Sequence, residues 1–156
     1  MTTEHSERRR LPYTPQQMYD LVMDVESYPE FIPWIQRVRK RGDGTRFEAD
    51  TVVSFKVFRE RYTSAIEAVP PGGEGPARID VRAIDGPFRK LVTLYIFQDA
   101  PGGCEMELNV EFEFSNRLLQ RAAGAAFGLA MSRVTKAFEE RAAALYGTPE
   151  GAEVTG

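Results

Sequence analysis

The two side chains that carry most nucleophilic and metal chemistry occur once each, as His5 and Cys104. A single cysteine allows no intramolecular disulfide, which fits a reducing compartment. Zinc centres of the usual kind need several Cys or His ligands, so no metal site is expected. His5 lies in MTTEHSERRR, a stretch that reads as a polar tail. A Ser-His-Asp or Cys-His arrangement in a folded core is therefore not expected, and no catalytic residue is assigned. Glu60 is the one carboxylate that interrupts a pattern, standing between Phe58 and Tyr62 on the apolar side of a strand. A buried carboxylate is costly unless it is paired or protonated. Three readings are open: a bulge turns Glu60 to solvent, it pairs with Arg59, Arg61 or Arg89, or it is a polar anchor for a ligand's head group. A lone carboxylate supports little acid–base chemistry.

The remaining chemistry is apolar. Residues 28–34 read YPEFIPW, three rings and two prolines in seven positions. Proline fixes φ and removes a donor, so the stretch suits neither a helix interior nor a central strand. Connectors are normally polar, yet this one holds the only tryptophan. Tyr28 and Trp34 each have a polar tip, which suits a place apolar on one side and wet on the other. The competing reading is a small core packed beneath a loop.

A net charge of −3 gives no global pull toward nucleic acid, and DNA is not an expected partner. One local run, Arg37, Arg39, Lys40 and Arg41, reads as a solvated strand face or as a patch for anionic lipid or RNA. The longest stretch of apolar residues and glycine, 122–131, is far below the roughly 20 residues of a membrane-spanning helix. The basic N-terminus has no apolar region behind it, so a signal peptide is not expected. These features suggest a cytoplasmic protein, with peripheral contact at an inner membrane as an option.

The elements that must position these residues follow from turn signals at 42–44, 70–76, 86–87 and 101–103. From Thr45 to Val57, Phe47, Ala49, Thr51, Val53, Phe55 and Val57 share one face. Residues 58–68 and 77–84 alternate in the same way. Residues 89–98 are apolar on both faces, as in a more buried strand. In 103–114, Cys104, Met106, Leu108, Val110, Phe112 and Phe114 alternate with polar residues. Short turns between such strands predict an antiparallel meander with one covered face. The cover is a helix capped by Ser115 or Asn116 and stopped by Gly147, with Leu119, Ala123, Phe127, Met131, Val134, Phe138, Ala142 and Leu145 forming one stripe. Gly124 and Gly128 within it imply a close backbone approach, a bend, or room left for something else. A first strand at 6–12 and a helix capped by Thr14 with Pro15 at its first position precede YPEFIPW.

This order, with YPEFIPW, GPFRKL (86–91) and FEFSNRLL (112–119), resembles the START-like helix-grip proteins. The likeness spans residues 6 to 146. It is strongest to the branch holding ubiquinone-binding proteins, RatA-type ribosome association toxins and polyketide cyclase/dehydrase relatives. The resemblance implies an α+β fold: a strongly curved antiparallel sheet wrapped around a long C-terminal helix, with two short helices after the first strand. One such domain would cover 1–147, followed by a disordered tail at 148–156. It also implies a cavity between sheet and helix for an apolar ligand. Its walls would be Tyr28, Phe31, Pro33, Trp34, Phe55, Tyr62, Phe88, Tyr95, Phe97, Gly124, Phe127, Gly128 and Met131, with the YPEFIPW rings at the rim. For any single ring, plain core packing is as good a reading.

Three functions follow from the resemblance. The first is a carrier of ubiquinone or another prenyl lipid, serving respiration or quinone biosynthesis, with no cofactor required. The second is a factor that binds the large ribosomal subunit and blocks subunit association. The third is a polyketide aromatase/cyclase.

Overall fold

A computed structural model describes residues 2–55 and 58–147, with side chains 55–58 outside the description. The expected tail at 148–156 and the side chain of Phe55 therefore lie outside the described residues.

Seven strands form one antiparallel sheet: β1 (Thr3–Leu11), β2 (Ile35–Arg41), β3 (Arg46–Phe55), β4 (Phe58–Val69), β5 (Ala77–Asp85), β6 (Phe88–Ala100) and β7 (Gly103–Phe114). Their order is β1-β7-β6-β5-β4-β3-β2. Six strands thus run as the expected meander, and β1 closes onto the last of them. Helix α1 (Pro15–Met23) and a 3-10 segment (Val25–Glu30) link β1 to β2, and α2 (Arg117–Tyr146) follows β7. The curved sheet and long helix give the α+β arrangement that the alternation implied.

Period two decides the strands. In β7 every inward residue from Cys104 to Phe114 is buried and every outward one is half-buried. In β3, Phe47, Ala49 and Thr51 are buried. The expectation for β6 needs adjustment. Tyr95 and Phe97 are buried, but Val92, Leu94 and Ile96 on the other face are only half-buried.

A larger correction concerns the N-terminus. β1 begins at Thr3 rather than at residue 6, so His5 is not in a tail but pairs with Val110 in the sheet. The half-buried face of β1 is Thr3, His5, Glu7 and Arg9. Alternation is present there, but both faces are polar, and hydrophobic periodicity cannot register it.

The caps are as the sequence implied. Thr14 accepts from the Gln17 N–H while Gln17 returns a bond to the Thr14 N–H. Asn116 accepts from the N–H groups of Leu118 and Leu119, and Gly147 ends α2 at φ +80°. The helix stripe is another matter. Thr135, Phe138 and Ala142 are buried, yet no residue from Arg117 to Val134 is, and Leu145 is exposed. The last turn of α2 reaches α1, where the Tyr146 hydroxyl donates to the Gln17 carbonyl beyond the core.

Candidate functional site

The concave face of the sheet carries two ring clusters. One lies under the C-terminal half of α2. Phe138 is ringed edge-on by Tyr28 at 5.6 Å, Phe31 at 5.5 Å and Tyr95 at 6.2 Å, with Phe97 parallel to Tyr95. The other lies under the N-terminal half. Tyr62 meets Phe88 at 5.3 Å, Phe88 stacks on Phe114 at 4.6 Å, and Phe112 meets Phe127 at 4.4 Å.

YPEFIPW is the fastening of the first cluster. The Tyr28 hydroxyl donates to the Val22 carbonyl. The Arg141 guanidinium lies 5.1 Å from the Phe31 ring centre and 3.3 Å from the Glu30 carboxylate. The most buried residue of the stretch is Ile32, which the ring pattern concealed. Trp34 is half-buried at the edge of the sheet, its carbonyl accepting from the Ser54 N–H, and Pro33 is exposed. The small-core reading holds: Ile32 packs inward, and half-buried Tyr28, Phe31 and Trp34 pack against the same core.

The concave face also buries two hydroxyl-bearing side chains. Thr51 and Ser64 are buried, and Thr51 faces Tyr62 across the β3–β4 ladder as a hydrogen-bonding neighbour. Burial pushes the phenols of Tyr28, Tyr62 and Tyr95 upward, and Tyr95 and Tyr28 also feel neighbouring phenols. Three hydroxyl-bearing rings therefore converge in one apolar place. The Tyr95 hydroxyl makes no hydrogen bond among the described residues. Gly86 makes this packing possible. Its φ is +133°, and a Cβ there would fall 2.6 Å from the Tyr62 Cβ.

Glu60 occupies the same face as Tyr62 and Ser64. The β3–β4 register runs unbroken past it, opposite Val53, so no bulge turns it away. It is half-buried and makes no ion pair or hydrogen bond among the described residues. Arg89 pairs instead with Glu113 at 3.4 Å, and Arg59 and Arg61 belong to the opposite face of β4. The ion-pair and bulge readings are thereby set aside.

The basic run does not form one patch. Lys40 lies 4.5 Å over the Phe47 ring, on the side opposite to Arg39 and Arg41. Arg41 is held by Glu48 at 3.2 Å and Asp50 at 3.0 Å. Within the run, only Arg37 and Arg39 are exposed and without an ion pair among the described residues. The helix glycines also part company. A Cβ on Gly124 would touch the Thr3 hydroxyl at 3.6 Å, whereas one on Gly128 would meet nothing within 4 Å. No close backbone approach explains Gly128, which faces open space.

His5, unassigned by the sequence, stands edge-on to Phe127 at 6.0 Å. Its Nε2 is buried without a hydrogen bond and lies 3.7 Å from Glu7, which accepts from the Thr135 hydroxyl. The carboxylate stands between hydroxyl and imidazole, the wrong order for a histidine that activates a nucleophile. Cys104 is buried, and burial pushes its thiol up to about 11, so it stays protonated near neutral pH. Among the described residues no group of His, Cys, Asp and Glu could hold a metal ion.

The arrangement is a concave sheet face with two ring clusters, a few hydroxyls and one half-buried carboxylate, covered by α2. Ribosome association toxin RatA of Rickettsia prowazekii is 32% identical over 134 residues, covering 85% of this chain and 90% of that protein. The mitochondrial coenzyme Q-binding protein COQ10 homolog B of Xenopus laevis is 34% identical over 158 residues. That match covers 94% of this chain, which spans 61% of the relative's length. A START superfamily protein from Mycobacterium smegmatis shares the fold with a TM-score of 0.71 at 15% identity, covering 92% of this chain and 98% of that one. Residues 11–139 match the family described as polyketide cyclase / dehydrase and lipid transport. A curved sheet gripping a long helix, the capped elements in the expected order and the match along most of its length agree: this chain belongs to the polyketide cyclase/dehydrase and lipid transport family.

Proposed function

We propose that the chain binds a prenyl quinone, ubiquinone in the first instance, between the concave sheet and the N-terminal half of α2. It would act as a non-enzymatic carrier for respiration or quinone synthesis and need no cofactor. One observation carries the reading: α2 buries no residue from Arg117 to Val134, although Phe127 and Met131 point at the ring clusters and are half-buried. Apolar side chains at a wet boundary are what an apolar ligand would cover. Tyr62, Phe88 and Phe127 would flank its tail, and Tyr95, Thr51 and Glu60 would meet its polar ring.

The energetics suffice. At about 0.8 kcal/mol per buried CH₂, one isoprene unit is worth roughly 3 kcal/mol, so two or three units reach micromolar affinity after association costs. Among the described residues no helix is long and apolar enough to cross a membrane; the carrier proposed here works in the cytoplasm and peripherally at an inner membrane.

Organic extraction of the purified chain followed by mass spectrometry tests the reading, with quenching of Trp34 fluorescence by added ubiquinone as its solution counterpart. A prenyl quinone in the extract and saturable quenching are expected. No quenching by quinones of any tail length overturns it. The similarity to a ribosome association toxin supports a second reading, in which exposed Arg37 and Arg39, with Arg59 and Arg61 on the same face, contact ribosomal RNA. Gradient sedimentation distinguishes the two, because a carrier leaves the subunit profile unchanged.

A further inference from the structure

The outer side of α2 carries the second unexplained apolar surface. Leu118 is 76% exposed and Leu129 62% exposed. At 100° per residue they fall on one line with Ala122 and Ala125, all exposed, along the helix side away from Phe127. Arg121 and Arg133 flank this line, and Arg117 and Lys136 stand near its ends, all four exposed. From Ser115 to Phe138 there is no acidic residue, in a chain whose net charge is −3. None of the four cations makes an ion pair among the described residues. Arg117 and Arg121 also stand in the first two turns, where the helix dipole disfavours positive charge.

We infer that this face docks on an anionic lipid bilayer. Exposed leucines between arginines fit an interface in which aliphatic groups enter the acyl boundary and cations meet phosphates. RNA would satisfy the arginines but leave the leucines in water. A second copy, meeting the same face about a twofold axis, would set cation against cation. The opposite side of the same helix segment borders the cleft, so docking would hold the cleft beside the membrane. This deepens the carrier reading and rests on it for the purpose of docking; the surface itself can be tested without ligand.

The test is flotation of the full chain with vesicles of phosphatidylcholine, alone or mixed with phosphatidylglycerol, and without quinone. Binding is expected only to the mixed vesicles and should weaken with salt. Arg121→Gln with Arg133→Gln should reduce it roughly 25-fold, about fivefold for each cation. Leu118→Ser with Leu129→Ser should reduce it by more than tenfold. Because these side chains are exposed, the circular dichroism and melting temperature of both variants should match the parent. Arg37→Gln with Arg39→Gln should leave flotation unchanged. The proposal is overturned if mixed vesicles are not bound, or if only the Arg37/Arg39 variant releases them. It is equally overturned if the helix variants spare flotation while dissociating a dimer or releasing RNA. Quinone quenching measured in parallel on the same proteins separates failure of this surface from failure of the cleft.

Discussion

At the scale of the residue, Tyr28 and Tyr95 are similar phenols with different duties. The Tyr28 hydroxyl is spent on the Val22 carbonyl, so Tyr28→Phe orphans a buried acceptor and should lower unfolding free energy by about 1 kcal/mol in urea titration. The Tyr95 hydroxyl has no partner among the described residues, so Tyr95→Phe should leave stability within about 0.5 kcal/mol. Its cost should appear in quinone affinity, reduced about fivefold as one lost hydrogen bond implies. Equal stability losses in the two variants would contradict this division. Cys104 offers a pH test. Its thiol is raised from about 9 in the unfolded chain to about 11, so the folded chain holds its proton where the unfolded chain releases it. The stability that this difference contributes is intact below about pH 9 and is lost as pH rises toward 11. Buried Tyr28, Tyr62 and Tyr95 shift the same way and steepen the decline. Melting temperature should fall across that window, and less steeply in Cys104→Ala.

At the scale of the element, α2 is two helices in one. Its C-terminal half is core: Phe138 is 1% exposed, and Phe138→Ala should cost about 3–5 kcal/mol. Its N-terminal half is a cover. Phe127→Ala should cost clearly less than Phe138→Ala while abolishing quenching by quinone. Gly128→Ala should stabilise by up to about 1 kcal/mol, since the new methyl meets nothing and glycine is a poor helix former. Amide exchange should be faster from 117 to 134 than from 135 to 143, and quinone should slow the first set alone. The sequence disclosed both ends of this helix because Asn116 and Gly147 act locally. It also disclosed β7, where inward and outward residues differ in polarity. It did not disclose where the stripe stops being buried, because Phe127 and Phe138 are the same residue type at equivalent helical angles. Nor did it disclose where β1 begins: the inward residues Thr3, His5, Glu7 and Arg9 are all polar, so the strand expected at 6–12 lost its first residues to a tail and its histidine was left out of the fold.

At the scale of the whole molecule, the helix is held asymmetrically. Along β1 the contacts are polar: Gln120 donates to Thr3, Thr135 donates to Glu7, and Arg9 reaches Glu139 at 3.0 Å. At its C-terminal half the 28–34 turn adds the Phe31 ring and the Glu30–Arg141 pair. The helix is therefore fastened by residues more than a hundred positions apart, and alternation, which is local, could nominate Tyr62 and Phe127 but not show which space they share. The ligand site proposed beneath the N-terminal half of α2 would have a thermodynamic signature. A ligand that binds only the folded chain stabilises it by about 2.7 kcal/mol at a hundredfold excess over Kd. For a chain of this size each kcal/mol is worth about 2–4 °C, so ubiquinone should raise the melting temperature by roughly 5–10 °C. Phe127→Ala should melt almost as the parent does without ligand and should lose the ligand's increment. Arg9→Ala, which loosens the polar seam outside the cleft, should lower both temperatures and retain the difference between them. If Phe127→Ala keeps the full increment, the quinone binds elsewhere and the half-buried rings under α2 are merely an imperfect core.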